Sequence, residues 1–183
     1  MQLIETEIPD VKILVPKKHG DYRGFFSEVY SRPVLRELGI DVEFVQDNHS
    51  LSVEKGVLRG LHYQIAPAAQ DKLVRVVRGA ILDVAVDVRR SSPTFGRHVG
   101  AVLSADNWRQ IFVPKGFAHG FVTLEPNTEV LYKVTCCYSP QHERGIRWND
   151  PVLGIDWQVE PARAILSQRD REHPMLAQAQ DLF

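Results

Sequence analysis

The residues best able to do chemistry in this 183-residue chain are a few imidazoles and phenols set among apolar neighbours. His62 interrupts the strand-like run "GVLRGLHYQ" (Gly56 to Gln64), where Arg59 and Gln64 are also polar. His119 lies between Phe117 and Phe121 in "FAHGF", and Tyr132 and Tyr138 recur in "VLYKVTCCY". An imidazole titrates near neutrality and a phenol can hand on a proton, so the two types together suit proton transfer. Taken singly, each is read as a core side chain satisfied by the backbone. Buried as a group they are costly unless hydrogen-bonded or facing a ligand, and that favours a pocket.

Alternation in a strand decides which side chains share a face. Tyr132, Val134, Cys136 and Tyr138 fall on one side of their run, and His62 falls on one side with Gly60 and Gln64. If these faces line a barrel, its interior holds imidazoles, phenols and an amide.

The elements that must hold them are short strands. The runs "VKILV", "VEFVQDN", "VLRGLHYQ", "KLVRVV", "AILDVAVDV", "HVGAVLS", "RQIFVP", "GFVTL" and "VLYKVTCCY" are separated by "VEKG", "VRG", "RSSPTFG", "PKG" and "EPNT". These connections carry the Gly, Pro, Asn and Ser that turns require. Many short strands at this spacing predict an all-β sandwich, barrel or jelly roll. Helix is expected only at "PVLRELG", with Pro33 in a first turn and Gly39 as terminator, and in short pieces of the C-terminal tail, residues 158–183. No linker, low-complexity run or repeat divides the chain, so one domain over residues 1–183 is expected.

Composition narrows the function classes. With 44% hydrophobic and 25% charged residues, the chain can bury a substantial core. A net charge of −1 gives no global attraction to nucleic acid or to an anionic membrane, so an anionic ligand would depend on locally placed Arg and Lys. No apolar run is long enough to span a bilayer, and "MQLIETEIPD" lacks the pattern of a signal peptide. Cys136 and Cys137 are adjacent and badly placed to bridge distant segments, which fits a reducing, cytoplasmic setting.

The segments "GDYRGFFSE", "FVQDNHS", "GVLRGLHYQ", "DVAVDVRRSSPTFG", "VPKGFAHGF", "LYK" and "ERGIRWNDP" occur in the order found in one enzyme family. From about "TEIPDV" to "LSQRD" the chain closely resembles the dTDP-4-dehydrorhamnose 3,5-epimerase family. The resemblance implies a cupin-type jelly roll, a homodimer whose N-terminal strands contact the partner, no cofactor, and an active site inside the barrel. It implies His62 as base, Asp170 as its carboxylate partner, Lys72 beside the sugar C4 oxygen and Tyr132 as acid. Arg23, Glu28, Gln46, Asp47, Asn48, Arg59, His119, Tyr138, Glu143 and Arg169 match binding positions for the dTDP-sugar. Arg169 stands where the family usually has Lys, exchanging a point charge for a planar fork.

The chemistry gives its own reason for these residue types. Epimerisation beside a ketone needs a base for the α-proton, a donor for the enolate oxygen and an acid on the other face. A carboxylate on the far nitrogen of a histidine base fixes its tautomer and steadies the imidazolium. A diphosphate favours Arg, which grips it in bidentate fashion. Strict alternation would set Arg59 on the face opposite His62, and a bulge at Gly60 would bring both to one ligand.

Three alternatives carry weight. Gly56 with His62, and Pro114, Gly116 and His119 in "PKGFAH", echo the two motifs of metal-dependent cupins. Gln64 stands where a second metal-binding His would be, and no carboxylate follows it. A binding module on the same fold would need no base, orienter and acid. An epimerase acting at C3 alone or C5 alone would keep the same machinery.

Overall fold

The computed structural model describes all residues, 1–183. In chain order the elements are β1 (Gln2–Glu5), β2 (Lys12–Val15), β3 (His19–Asp21), β4 (Gly24–Phe26), α1 (Arg32–Glu37), β5 (Gln46–Ser52), β6 (Leu58–Gln64) and β7 (Lys72–Arg78). They continue with β8 (Ala80–Asp87), β9 (His98–Ser104), β10 (Gln110–Val113), β11 (Phe117–Thr123), β12 (Thr128–Val134), β13 (Glu143–Gly145) and α2 (Gln168–Glu172). One sheet has the order β1-β2-β10-β7-β12-β5 and the other β13-β6-β11-β8-β9, while β3 and β4 form a separate hairpin. The strand pairs are antiparallel, and the whole is a cupin-like jelly roll.

Two apolar layers explain why the five-stranded sheet carries the most continuous hydrophobic runs. Its inner face contributes Ile81, Ala85, Phe117 and Phe121 to a core shared with Val74, Val76, Ile111 and Val130 of the facing sheet. Its outer face, with Leu61, Leu82, Val84 and Val122, is covered by Ile146, Trp148, Leu153, Trp157 and Leu176 from the C-terminal segment. Hence every residue of β8 and of β11 is buried, and "AILDVAVD" does not alternate as a half-exposed strand would.

The helices match expectation in place and size. Pro33 lies in the first turn of α1, which ends before Gly39 and packs Leu35 against Leu14, Leu73 and Phe112. Residues 158–183 hold α2 and two single 3-10 turns. No helix is long and apolar enough to cross a membrane.

Two strands have different limits from those expected. The run "VLYKVTCCY" does not stay extended to Tyr138, because β12 stops at Val134. There Thr135 Oγ1 donates to Asp71 Oδ2 (3.0 Å), while Gln70 and Gln64 side-chain amides donate to the carbonyls of Cys136 (2.6 Å) and Cys137 (3.3 Å). Side chains thus replace the strand ladder, and the shared face expected for Cys136 and Tyr138 ends with it. The run "VEFVQDN" is strand only from Gln46, opposite Val134, since nothing pairs with the residues before it beyond the bond from Val45 N to Val134 O.

Candidate active site

Pairing between β6 and β11 fixes the geometry of the site. His119 lies opposite His62 and Phe121 opposite Arg59, so Gly60 and Leu61 together face a single residue, Gly120. This is the bulge expected from the glycine. It leaves Leu58, Leu61 and Tyr63 in the outer core while Arg59 and His62 both line the inner cavity. Gly60 has φ of +122°, and a Cβ there would stand 2.6 Å from the Gly120 Cα, so no larger residue fits without displacing backbone.

The cavity lies between the sheets. Its larger part, about 340 Å³, is lined by Ser50, Arg59, His62, Lys72, His119, Tyr132, Arg169 and Asp170. An adjoining part of about 150 Å³ shares His62, Lys72 and Tyr132 and adds Gln46, Asn48, Tyr138 and Glu143. The five-stranded sheet supplies Arg59, His62 and His119, and the six-stranded sheet supplies Lys72 and Tyr132 on the facing wall.

His62 Nε2 and Asp170 Oδ1 are 2.5 Å apart, which leaves Nδ1 as the ring nitrogen without the carboxylate. Asp170 is buried at the start of α2, where Ser167 caps the helix by accepting from Asp170 N and donating to Asp170 Oδ2 (2.8 Å). Burial would raise the Asp170 pKa, but the neighbouring His173 and His62 and the Ser167 hydroxyl hold it well below the ordinary carboxylate range. It is an anion throughout the working pH range. Burial pushes the Lys72 ammonium down to about 8, against the opposing pull of Asp83 and Glu143. Burial also raises the Tyr132 phenol, with Arg59 working against it, so the hydroxyl keeps its proton at neutral pH.

The binding candidates divide by strand face. In β5, exposure alternates, with Gln46 and Asn48 turned in and joined by a 2.8 Å hydrogen bond from Gln46 Nε2. Asp47 is turned out by the same alternation and pairs with Lys133 at 2.8 Å, so its expected place in the site is corrected. Tyr138 reaches the cavity from beyond the strand, its hydroxyl donating to Glu143 Oε2 at 2.6 Å. Arg169 bonds the same carboxylate oxygen at 2.6 Å, so its fork is tied to Glu143 beside the tyrosine. Arg23 and Glu28 lie outside this chain's cavity. Arg23 sits on the β3–β4 hairpin, where it pairs with Asp21.

Three contributors escape the sequence reading. Asp83 is fully buried on the inner face of β8, and both its oxygens lie 2.9 Å from His119 Nε2, forming a second imidazole–carboxylate pair. A carboxylate inside an apolar run was a usable signal, because it demands a buried partner. Ser50 Oγ is buried without a hydrogen-bond partner on the cavity wall. His173 packs its ring against His62 at 5.4 Å between centroids. Nothing local in sequence marks either of these.

His62, Asp170 and His173 bring three donor atoms within 4.8 Å of one another, which invites a test against metal binding. Two ligands on a tetrahedral ion stand roughly 3.3 Å apart, given bonds of about 2.0–2.1 Å. The 2.5 Å between His62 Nε2 and Asp170 Oδ1 is a hydrogen-bond distance and too short for joint ligation. Gln64, at the position where a metal cupin would have its second His, spends its amide on Ala68 O (2.6 Å) and its carbonyl on Ser139 N (2.7 Å). These residues do not fit a cupin metal centre.

Comparison with known proteins identifies the family and the fold. A family profile described as dTDP-4-dehydrorhamnose 3,5-epimerase matches residues 5–178. The enzyme of that name from Shigella flexneri is 56% identical over 93% of both chains, and that from Pseudomonas aeruginosa is 53% identical over 98% of both. A crystal structure of the Bacillus anthracis enzyme with TDP and PPi bound superposes with a TM-score of 0.92 at 53% identity, covering 95% of this chain and 98% of that one. The Legionella pneumophila epimerase in complex with dTDP-4-keto-L-rhamnose superposes with a TM-score of 0.93 at 47% identity, over 98% and 94%. From its motifs, its fold and these relatives, the chain belongs to the dTDP-4-dehydrorhamnose 3,5-epimerase family.

Proposed function

We propose that the protein inverts C3 and C5 of dTDP-4-dehydro-6-deoxy-D-glucose, giving dTDP-4-dehydro-L-rhamnose, without a cofactor. The observation that carries the reading is that an imidazole oriented by a carboxylate and a protonated phenol stand on facing walls of one cavity. In this reading His62 Nδ1 takes the proton from the α-carbon, and the C–H electron pair moves into the C4 carbonyl to form an enolate. The Lys72 ammonium steadies that oxygen. Tyr132 then delivers its proton to the opposite face of the carbon as the carbonyl re-forms. The phenolate recovers a proton from solvent and the imidazolium loses one, so the cycle closes. C3 and C5 both flank the ketone, so one base and one acid serve twice. Arg59, His119, Gln46, Asn48, Tyr138, Glu143 and Arg169 would grip the nucleotide sugar.

The protein acts in this reading as a cytoplasmic homodimer built from one domain per chain. Arg23 and Glu28 stand away from their own cavity, and the hairpin that carries Arg23 exposes Tyr22 at 96%, Phe25 at 56% and Phe26 at 71%. Such an aromatic surface suits contact with a partner. Free thiols at Cys136 and Cys137 support the reducing compartment.

Incubation with the substrate in heavy water tests the activity. Deuterium at both C3 and C5 of a product with the L-rhamno configuration is expected. Label and inversion at one carbon alone would identify a mono-epimerase, and no exchange would overturn the reading.

A further inference from the structure

His173 is the one buried imidazole near the base whose ring nitrogen has no hydrogen bond. Its Nε2 is buried and unpartnered, lying 3.6 Å from Asp170 Oδ1, the oxygen already engaged by His62 Nε2. That distance is too long for a hydrogen bond. A lone pair aimed at an anionic oxygen would be repelled, so Nε2 carries the proton and its N–H dipole points at the carboxylate. The ring stands nearly perpendicular to His62, at 78°, and closes that side of it.

The surroundings hold this ring by means other than its own polar atoms. Arg147 donates from Nε to the His173 carbonyl (3.0 Å) and from its backbone N–H to the Pro174 carbonyl (2.8 Å). Leu176 N donates to the buried Asp150 at 2.6 Å. A Cβ on Gly145 would overlap the imidazole of His173, so that glycine is the floor of its slot. Leaving a buried polar nitrogen unsatisfied is destabilising, and such groups call for a functional explanation.

We infer that His173 is a positioning residue for the catalytic base, setting the plane of the His62 ring by edge contact and sharing the Asp170 carboxylate with it. The inference rests on the reading of His62 as base. By drawing on Asp170 Oδ1, the His173 N–H leaves less negative charge for the His62 imidazolium. Removing the N–H should therefore make His62 easier to protonate. Other charged and titratable groups facing the pair are Lys72, Tyr132, Glu143, Arg59 and the His119–Asp83 pair from the cavity walls. Arg144 with its partner Asp181, Arg169, Glu172 and Tyr63 face His173 from the adjoining C-terminal cavity, and Arg147 holds its carbonyl.

The test is epimerisation kinetics from about pH 5 to about pH 9, bracketing the histidine range, with thermal melts as a folding control. His173→Phe keeps a ring and loses the N–H. Its acid limb in kcat/KM should move up by about half a pH unit with kcat changed by less than about threefold. His173→Ala removes the ring contact and should lower kcat about tenfold with KM little changed. Gly145→Ala should do the same by expelling the ring, and adding it to His173→Ala should cause no further loss. An acid limb in His173→Phe that superposes on wild type, or a His173→Ala enzyme with wild-type kcat, overturns the inference. Full activity in His62→Ala would instead overturn the reading of the base, and the two failures are thereby distinguished.

Discussion

Lys72 shows how burial gives an ordinary cation a working pH range. Its ammonium is pushed down to about 8, whereas an unfolded chain holds a lysine near 10.4. Between those values the unfolded state binds the extra proton, so this group makes stability rise as pH climbs through that window. Activity should run the other way, because enolate stabilisation is lost as Lys72 deprotonates. The expected pH–kcat/KM profile has a basic limb near pH 8, and Lys72→Met should lower kcat by roughly 10²–10³ and abolish that limb. A limb that survives in Lys72→Met would assign it to another group. In sequence Lys72 resembles any lysine at a strand start, and only its family match singles it out. Its low pKa depends on burial between the sheets, which no local pattern reveals.

At the scale of elements, the β6 bulge positions the site and the loop after β8 is held by a buried carboxylate. Gly60→Ala should destabilise by more than about 2 kcal/mol, as its Cβ meets Gly120 backbone and its φ is positive. A variant with an unchanged urea midpoint would mean the bulge can relax. Asp87 ends β8 fully buried and accepts from Arg89, Ser92 and Thr94, with Ser92 Oγ and Thr94 Oγ1 both at 2.6 Å. Burial raises its pKa, yet these bonds win and hold it at about 2. A depressed carboxylate contributes fully above its unfolded value near 3.9 and loses that contribution as pH falls toward 2. Asp87→Asn should cost about 1–3 kcal/mol at pH 7, and the gap should narrow between about pH 4 and pH 2 in urea titrations. A constant gap would mean that the charge is irrelevant there. The "DVAVDVRRSSPTFG" segment thus supplies this loop at one end and, at the other, Asp83, the buried partner of His119. Long strands and the Gly60 bulge were legible because their patterns span several residues. The strands β1, β3, β4 and β13 were not, since "QLIE", "HGD", "GFF" and "ERG" lack the continuous apolar run that marks the equally short β2 and β10, "KILV" and "QIFV".

For the whole molecule, the β3–β4 hairpin is the feature a single chain leaves without a task. Trp108 fastens it: its Nε1 donates to Ser27 Oγ (3.1 Å), Phe25 packs edge-on at 5.0 Å, and Lys18 sits 4.0 Å above the ring. Arg23 is therefore presented on an anchored projection. If this arm completes the partner's site, sedimentation should give twice the chain mass. Mixing inactive Arg23→Ala with inactive His62→Ala chains should restore about a quarter of wild-type activity, since about half the dimers are mixed and each has one intact site. A monomer, or no recovery on mixing, would contradict the shared site. Sequence resemblance alone drew attention to Arg23 and Glu28, because their surroundings within the chain are solvent.

The division of labour between His62 and Tyr132 is tested most directly by the stereochemistry of deuterium incorporation with Tyr132→Phe in heavy water. The substitution keeps ring volume and removes only the hydroxyl. His62 can then still form the enolate and return a deuteron to the face it deprotonated. The expected result is recovered substrate labelled at C3 or C5 with its configuration retained, with inversion slowed by roughly 10² or more. His62→Ala should show neither label nor inversion. Near wild-type inversion by Tyr132→Phe, in a protein whose melting temperature is unchanged, would contradict the assignment of Tyr132 as the acid.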